Sequence, residues 1–147
     1  MIQRIQTVYL FISALLIASL MKLTFAELSV NNELYTFVAK GIFNGEELIF
    51  NGMAIFVFIP VIALLHFITI FLYKKRILQI RIMVFSIVLL LGLFGLFFYF
   101  SYAGFDGAKI AFKIPVAFPL VAVILDYLAI RAIGKDEALI RSLNRIR

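Results

Sequence analysis

The chain has 147 residues, 65% of them hydrophobic, and a mean hydropathy of +1.11. A water-soluble domain is about half apolar, so too little polar surface remains here for a fold bathed in water on all sides. The formal charge of +6 and pI near 9.8 could point to nucleic acid, but the basic residues gather at the ends of apolar runs rather than on one polar face, which excludes that class.

The first apolar run covers residues 5–25 and follows Arg4. Its length, and the three runs behind it, indicate a retained membrane helix; a cleavable signal peptide competes, because Thr24 and Ala26 are small. Ala14 and Ala18 form a small-xxx-small pair beside Ser13 and Ser19, suited to close approach of another helix. Residues 26–50 are the longest polar interruption, with Glu27, Glu33, Glu46 and Glu47 against Lys40. Within it, residues 34–43 are rich in β-formers and are followed by Asn44-Gly45 and then residues 46–50. That pattern predicts an extracytoplasmic hairpin closed by a type I′ turn, with Gly41 as a bulge inside its first strand.

The second span, residues 51–73, contains Pro60 and His66 and ends at Lys74, Lys75 and Arg76. The third, residues 82–103, has no charged residue, offers Gly92 and Gly95 for close packing, and carries Tyr99 and Tyr102 at its far end. Residues 104–113 form the second external loop. Asp106-Gly107 marks a turn there, and residues 108–112 a short strand that could extend the hairpin to three or so strands. The fourth span, residues 114–133, enters with Pro115 and Pro119 and holds Asp126, with Arg131 near its end. In the tail, residues 134–147, Gly134 suits a helix C-cap. Leu139, Ile140, Leu143 and Ile146 then share one face of a short amphipathic helix, opposite Arg141 and Arg145.

Lys74, Lys75, Arg76 and Arg81 make a compact basic loop of the kind that stays in the cytoplasm. With both termini on that side, it holds Arg4, Lys74, Lys75, Arg76, Arg81, Arg131, Lys135, Arg141, Arg145 and Arg147, against Lys22, Lys40, Lys109 and Lys113 outside. The expected architecture is an all-α membrane protein, a single domain over residues 1–147. It would be an up-down bundle of four transmembrane helices with a small extracytoplasmic β-hairpin or sheet. The layout is similar in outline to claudin-like four-span proteins, an analogy that carries no function.

Chemistry is sparse. His66 and Asp126 each stand about seven residues before the basic end of their span, about 10 Å below that interface by helix rise. A carboxylate in hydrocarbon needs a partner or a proton. The two residues therefore form either a proton or cation relay, or an interhelical hydrogen bond that locks packing, with Asp126 protonated or reaching toward Arg131. One histidine and no cysteine exclude a His-rich metal site, a Cys–His dyad and disulfides. No phosphate-binding or nucleophile motif is present, so no catalytic residue, metal or cofactor is expected.

The opening residues Met1 to Leu10, MIQRIQTVYL, and the closing Lys135 to Arg147, KDEALIRSLNRIR, resemble a small four-span inner-membrane family of Bacteroidota, a domain of unknown function (DUF 4293). The family's tail more often has an aspartate where this chain has Asn144 and a leucine where it has Ile146. The resemblance implies an inner-membrane location in a Gram-negative cell and carries no activity. The expected function is a non-catalytic accessory or scaffolding subunit of an inner-membrane complex. Its cytoplasmic surface, Gln3, Arg4, Gln6, Lys74, Lys75, Arg76, Arg81, Arg141, Arg145 and Arg147, would meet anionic lipid headgroups and a membrane-protein partner or a second copy. The alternative is a small transporter or channel, single or oligomeric, working through an intramembrane His66/Asp126 pair.

Overall fold

The computed structural model describes residues 3–103, 105 and 107–144. Helices α1 (Gln3–Ser19), α2 (Met53–Phe71), α3 (Arg76–Ala103) and α4 (Phe118–Asn144) stand side by side, with a 3-10 turn over Ile114–Ala117 leading into α4. Helices α1 and α3 each pack on both α2 and α4, so α2 and α4 face each other across the diagonal. Three stretches are long and apolar enough to cross a membrane: Met53–Phe71, Arg76–Ala103 and Ile114–Ile140. Helix α1 falls short, since its 17 residues rise about 25 Å against about 30 Å of hydrocarbon.

Each helix turns one stripe inward, at alternating three- and four-residue steps. On α2 it is Ile55, Ile59, Ile62, His66 and Thr69; on α3 it runs from Gln79 through Met83, Ser86, Leu90 and Leu93 to Phe97. That spacing keeps a seam facing its neighbours in helices crossing at small angles. The outward faces are just as apolar, with Val57, Leu64 and Phe67 of α2 about half exposed or more. What distinguishes the inner stripe is its polar residues.

The expectation of an all-α bundle with a small hairpin, or a sheet of three or so strands, is overturned. Strands β1 (Thr24–Val30), β2 (Glu33–Val38), β3 (Gly41–Asn44), β4 (Glu47–Asn51) and β5 (Lys109–Phe112) build a five-stranded antiparallel sheet in the order β4-β3-β2-β1-β5. The first predicted span accordingly stops early: α1 ends at Ser19, and Phe25 belongs to β1. Asn31 and Asn32 join β1 to β2 with φ of 50° and 67°, the pair of positive values a type I′ turn requires. The predicted turn at Asn44-Gly45 is shifted by one residue. Asn44 pairs with Glu47, and Gly45 alone is at positive φ, the glycine-first pattern of a type II′ turn. The single strand expected over residues 34–43 is two strands folded back at Ala39-Lys40. A register shift between Thr24 and Ala26 lets the consecutive residues Phe25 and Ala26 both turn inward.

Aromatic packing joins the sheet to the helices. Phe25 lies 4.4 Å from Phe97 of α3 and 5.2 Å, edge-on, from Phe37 of β2, while Phe50 of β4 meets Phe100 edge-on at 5.4 Å. The β5 edge is tied by Lys113 N–H donating to the Phe25 carbonyl at 2.8 Å and by a Lys113–Glu27 ion pair.

Three further expectations change. Helix α4 does not cap at Gly134 but continues to Asn144, so the tail is no separate helix as far as it is described; residues 145–147 lie outside the described residues. A mid-helix glycine costs about 1 kcal/mol relative to alanine, a penalty that contacts of Asp136 and Glu137 beyond it can offset. Ala18, Gly92 and Gly95 are exposed, so neither small-residue set forms an interhelical face as a unit. Asp106 of the second predicted turn lies outside the described residues, while Gly107 has φ +77°.

Gly41 has φ +143°, and a side chain there would strike the Phe50 carbonyl oxygen and the backbone nitrogen of Gly52. Gly41→Ala should therefore cost more than about 2 kcal/mol, combining backbone strain with overpacking. Gly92→Ala, whose added methyl meets only the Phe58 ring at 3.8 Å, should change stability by less than about 0.5 kcal/mol. Thermal unfolding of both variants in one detergent checks the contrast.

Candidate functional site

Helix α2 carries His66 and helix α4 carries Asp126 on their inner stripes, and the two side chains meet across the diagonal with 1% and 0% exposure. His66 Nε2 is 2.8 Å from Asp126 Oδ2 and 3.1 Å from Oδ1, and Nδ1 is 2.8 Å from the Ile62 carbonyl oxygen one turn back. A carbonyl only accepts, so Nδ1 is assigned the hydrogen of that bond. Nε2 then either donates to a carboxylate, as part of an imidazolium, or accepts from a protonated Asp126. Both arrangements hold one proton between the partners and leave the pair with zero net charge. Losing that proton would set a nitrogen lone pair against carboxylate oxygens and strand an uncompensated charge in apolar surroundings. The alternative partner considered for Asp126, Arg131, points elsewhere: it is exposed and lines a cavity with Lys135 and Ile5.

Smaller polar ties accompany the pair. Gln6 Nε2 donates to Asp136 Oδ2 at 2.8 Å and joins the start of α1 to the far part of α4. Ser13 Oγ lies 3.5 Å from the Ala122 carbonyl on the same helix pair. Gln79 Nε2 on α3 donates to the Thr69 carbonyl of α2 at 3.2 Å, and the Thr69 hydroxyl donates to the Leu65 carbonyl at 2.6 Å. Arg76 Nη1 stands 3.8 Å from Glu137 Oε2, bringing α3 to α4. The Ser86 hydroxyl is buried on α3 with no hydrogen-bond partner among the described residues.

The basic residues expected at the docking surface divide accordingly. Lys74, Lys75 and Arg81 are exposed around the turn from α2 to α3, and Arg76 is partly buried there. Gln6 is not part of an open surface, because it is buried and bonded to Asp136. Gln3 and Arg4 lie in α1 and Arg141 in α4, but their side chains are outside the described residues, as are Arg145 and Arg147 altogether. The structure also brings in Thr69, Gln79, Asp136 and Glu137, which sequence reasoning did not single out as partners. Their signal was available: a polar residue inside an apolar helix, in step with His66 on α2, with Asp126 on α4 or with Ser86 on α3, marks the inner face.

Neither His66 nor Asp126 lines any of five cavities formed by the described residues. Among the described residues, no group of three or more His, Cys, Asp or Glu is placed to hold a metal ion. The pair can hold and, if opened, transfer one proton; in its enclosed state it is a hydrogen-bonded tie between two helices.

No curated protein and no solved structure matches the chain. The family model described as a domain of unknown function (DUF4293) matches residues 2–146. Spanning nearly the whole sequence, that match establishes that the chain belongs to the DUF4293 family.

Proposed function

We propose that the chain is a non-catalytic accessory or scaffolding subunit of a membrane-protein complex. It would sit in a bacterial inner membrane with both termini cytoplasmic, which requires α1 to cross as a short span that the bilayer thins to meet, and dock through its basic end. The observation that carries this reading is the enclosure of the only histidine and its carboxylate partner. Both ring nitrogens are engaged and both side chains are shut off from the surface, as suits a packing lock. The orientation is supported by ten basic residues on the cytoplasmic side against four outside, as counted along the sequence. A partner or a second copy would then meet the turn from α2 to α3 and the far part of α4.

A second reading, a small proton-coupled transporter, is favoured by one observation: the pair holds a single proton between two titratable groups. The two readings diverge at Asp126→Asn. An amide can still donate to the free Nε2 of a neutral His66, so the lock should survive, with a stability loss under about 1 kcal/mol. Asp126→Leu leaves Nε2 unpaired and should cost about 1–3 kcal/mol. Unfolding in detergent checks the order of the two variants. Proton flux into liposomes checks the relay: wild-type flux abolished by Asp126→Asn would sink the lock reading.

Docking calls for a truncation that spares the fold. Stopping the chain after Ile140 keeps Asp136 and Glu137 with their partners on α1 and α3. A defined partner set that co-purifies with the full chain in mild detergent and is lost from this truncation is the expected result. Full-length protein emerging alone would overturn the subunit assignment.

A further inference from the structure

The turn from α2 to α3 and the far part of α4 enclose a cleft of about 570 Å³, lined by Lys74, Lys75, Arg76, Leu78, Arg81 and Glu137 among others. Four cations against one carboxylate leave this small volume with an excess of three positive charges. Arg76, 19% exposed and the first residue of α3, lines this cleft and also the neighbouring cavity bounded by Gln6, Tyr73 and Gln79. Its Nη1 is buried without a hydrogen-bond partner among the described residues, and the Glu137 carboxylate at 3.8 Å is beyond hydrogen-bond reach of it. A buried guanidinium N–H that has an ion-pair neighbour but no hydrogen-bond acceptor is costly, and an anion presenting two oxygens side by side, as a phosphodiester does, fits the guanidinium fork. Ile77, Leu78 and Ile140 also line the cleft and are 53%, 41% and 41% exposed, an apolar flank next to the charged residues.

We propose that this cleft seats the headgroup phosphate of one anionic phospholipid, with Arg76 as its anchor and the acyl chains along Ile77, Leu78 and Ile140. The combination of anion site and apolar flank selects an amphiphile over a free ion. The positive excess selects a headgroup with no ammonium of its own, so phosphatidylglycerol is preferred over phosphatidylethanolamine. This goes beyond the subunit reading and does not depend on it, since a lipid seat would serve a transporter equally.

The test uses the full chain purified in neutral detergent, with native mass spectrometry and thermal unfolding as readouts. Phosphatidylglycerol should stay bound and raise the unfolding temperature, with retention at least about five-fold above phosphatidylethanolamine. Arg76→Gln should lose that preference, and Lys109→Gln, which removes one charge from β5, should keep it. Each variant's temperature shift is compared with its own lipid-free value. If Arg76→Gln does not fold, Lys74→Gln/Lys75→Gln alters only exposed side chains and must weaken retention of phosphatidylglycerol. Equal retention of the two lipids, or undiminished retention by the cleft variants, would overturn the proposal. A shift of the same size with inorganic phosphate alone would overturn the lipid as occupant.

Discussion

A histidine and a carboxylate that meet with no access to water must share a proton, and much of the helical architecture follows from that requirement. The alternative, an unpaired charge in an apolar interior, costs several kilocalories per mole, comparable to the whole stability of a marginal fold. Helices α2 and α4 are not neighbours; they lie diagonally across the group, and His66 and Asp126 reach into the space between them. A tie on the diagonal constrains the four helices as one unit, because α1 and α3 fill the flanks on either side. The Ile62 carbonyl completes it by fixing which ring nitrogen faces Asp126.

Apolar attraction between helices is weak when the surroundings are themselves apolar, so shape and hydrogen bonds must select the arrangement. The polar ties are distributed accordingly: α1 to α4 through Gln6 and Ser13, α2 to α3 through Gln79, α3 to α4 through Arg76, and the diagonal through His66. Single interhelical hydrogen bonds in such settings average about 0.6 kcal/mol, so specificity of register is their larger contribution. The sheet is held differently, by ring packing of Phe25, Phe37 and Phe97, which works equally well at a water-facing end.

Long apolar runs were legible because twenty such residues have few alternatives to a helix, and His66 and Asp126 stood out as the titratable residues within them. The inward stripes were not legible by hydropathy, since lipid-facing and core-facing residues are alike. Thr69, Gln79 and Asp136 could have revealed them through their three- and four-residue spacing. The sheet was underestimated because β1 begins inside what reads as the end of the first span, where Phe25 is apolar enough for either state. Asn31-Asn32 carries a weaker turn signal than Asn44-Gly45, since asparagine tolerates positive φ at a cost that glycine does not have. Gly134 misled for a general reason: a glycine is permitted to end a helix but does not compel it, and Asp136 has a partner only if the helix goes on.

The edge strand β5 has a bearing on biogenesis. Strands β1 to β4 are contiguous in the chain and can assemble as soon as the first two helices are in place, whereas Lys113 joins Glu27 across 86 positions. Until the segment after α3 has been made and placed beside it, β1 presents an open row of backbone donors and acceptors along one edge. Closing that row is a late, long-range event in folding, and it binds the last helix hairpin to the first strand of the chain. A nascent chain arrested before β5 would therefore expose a strand edge of β1 that the finished copy covers.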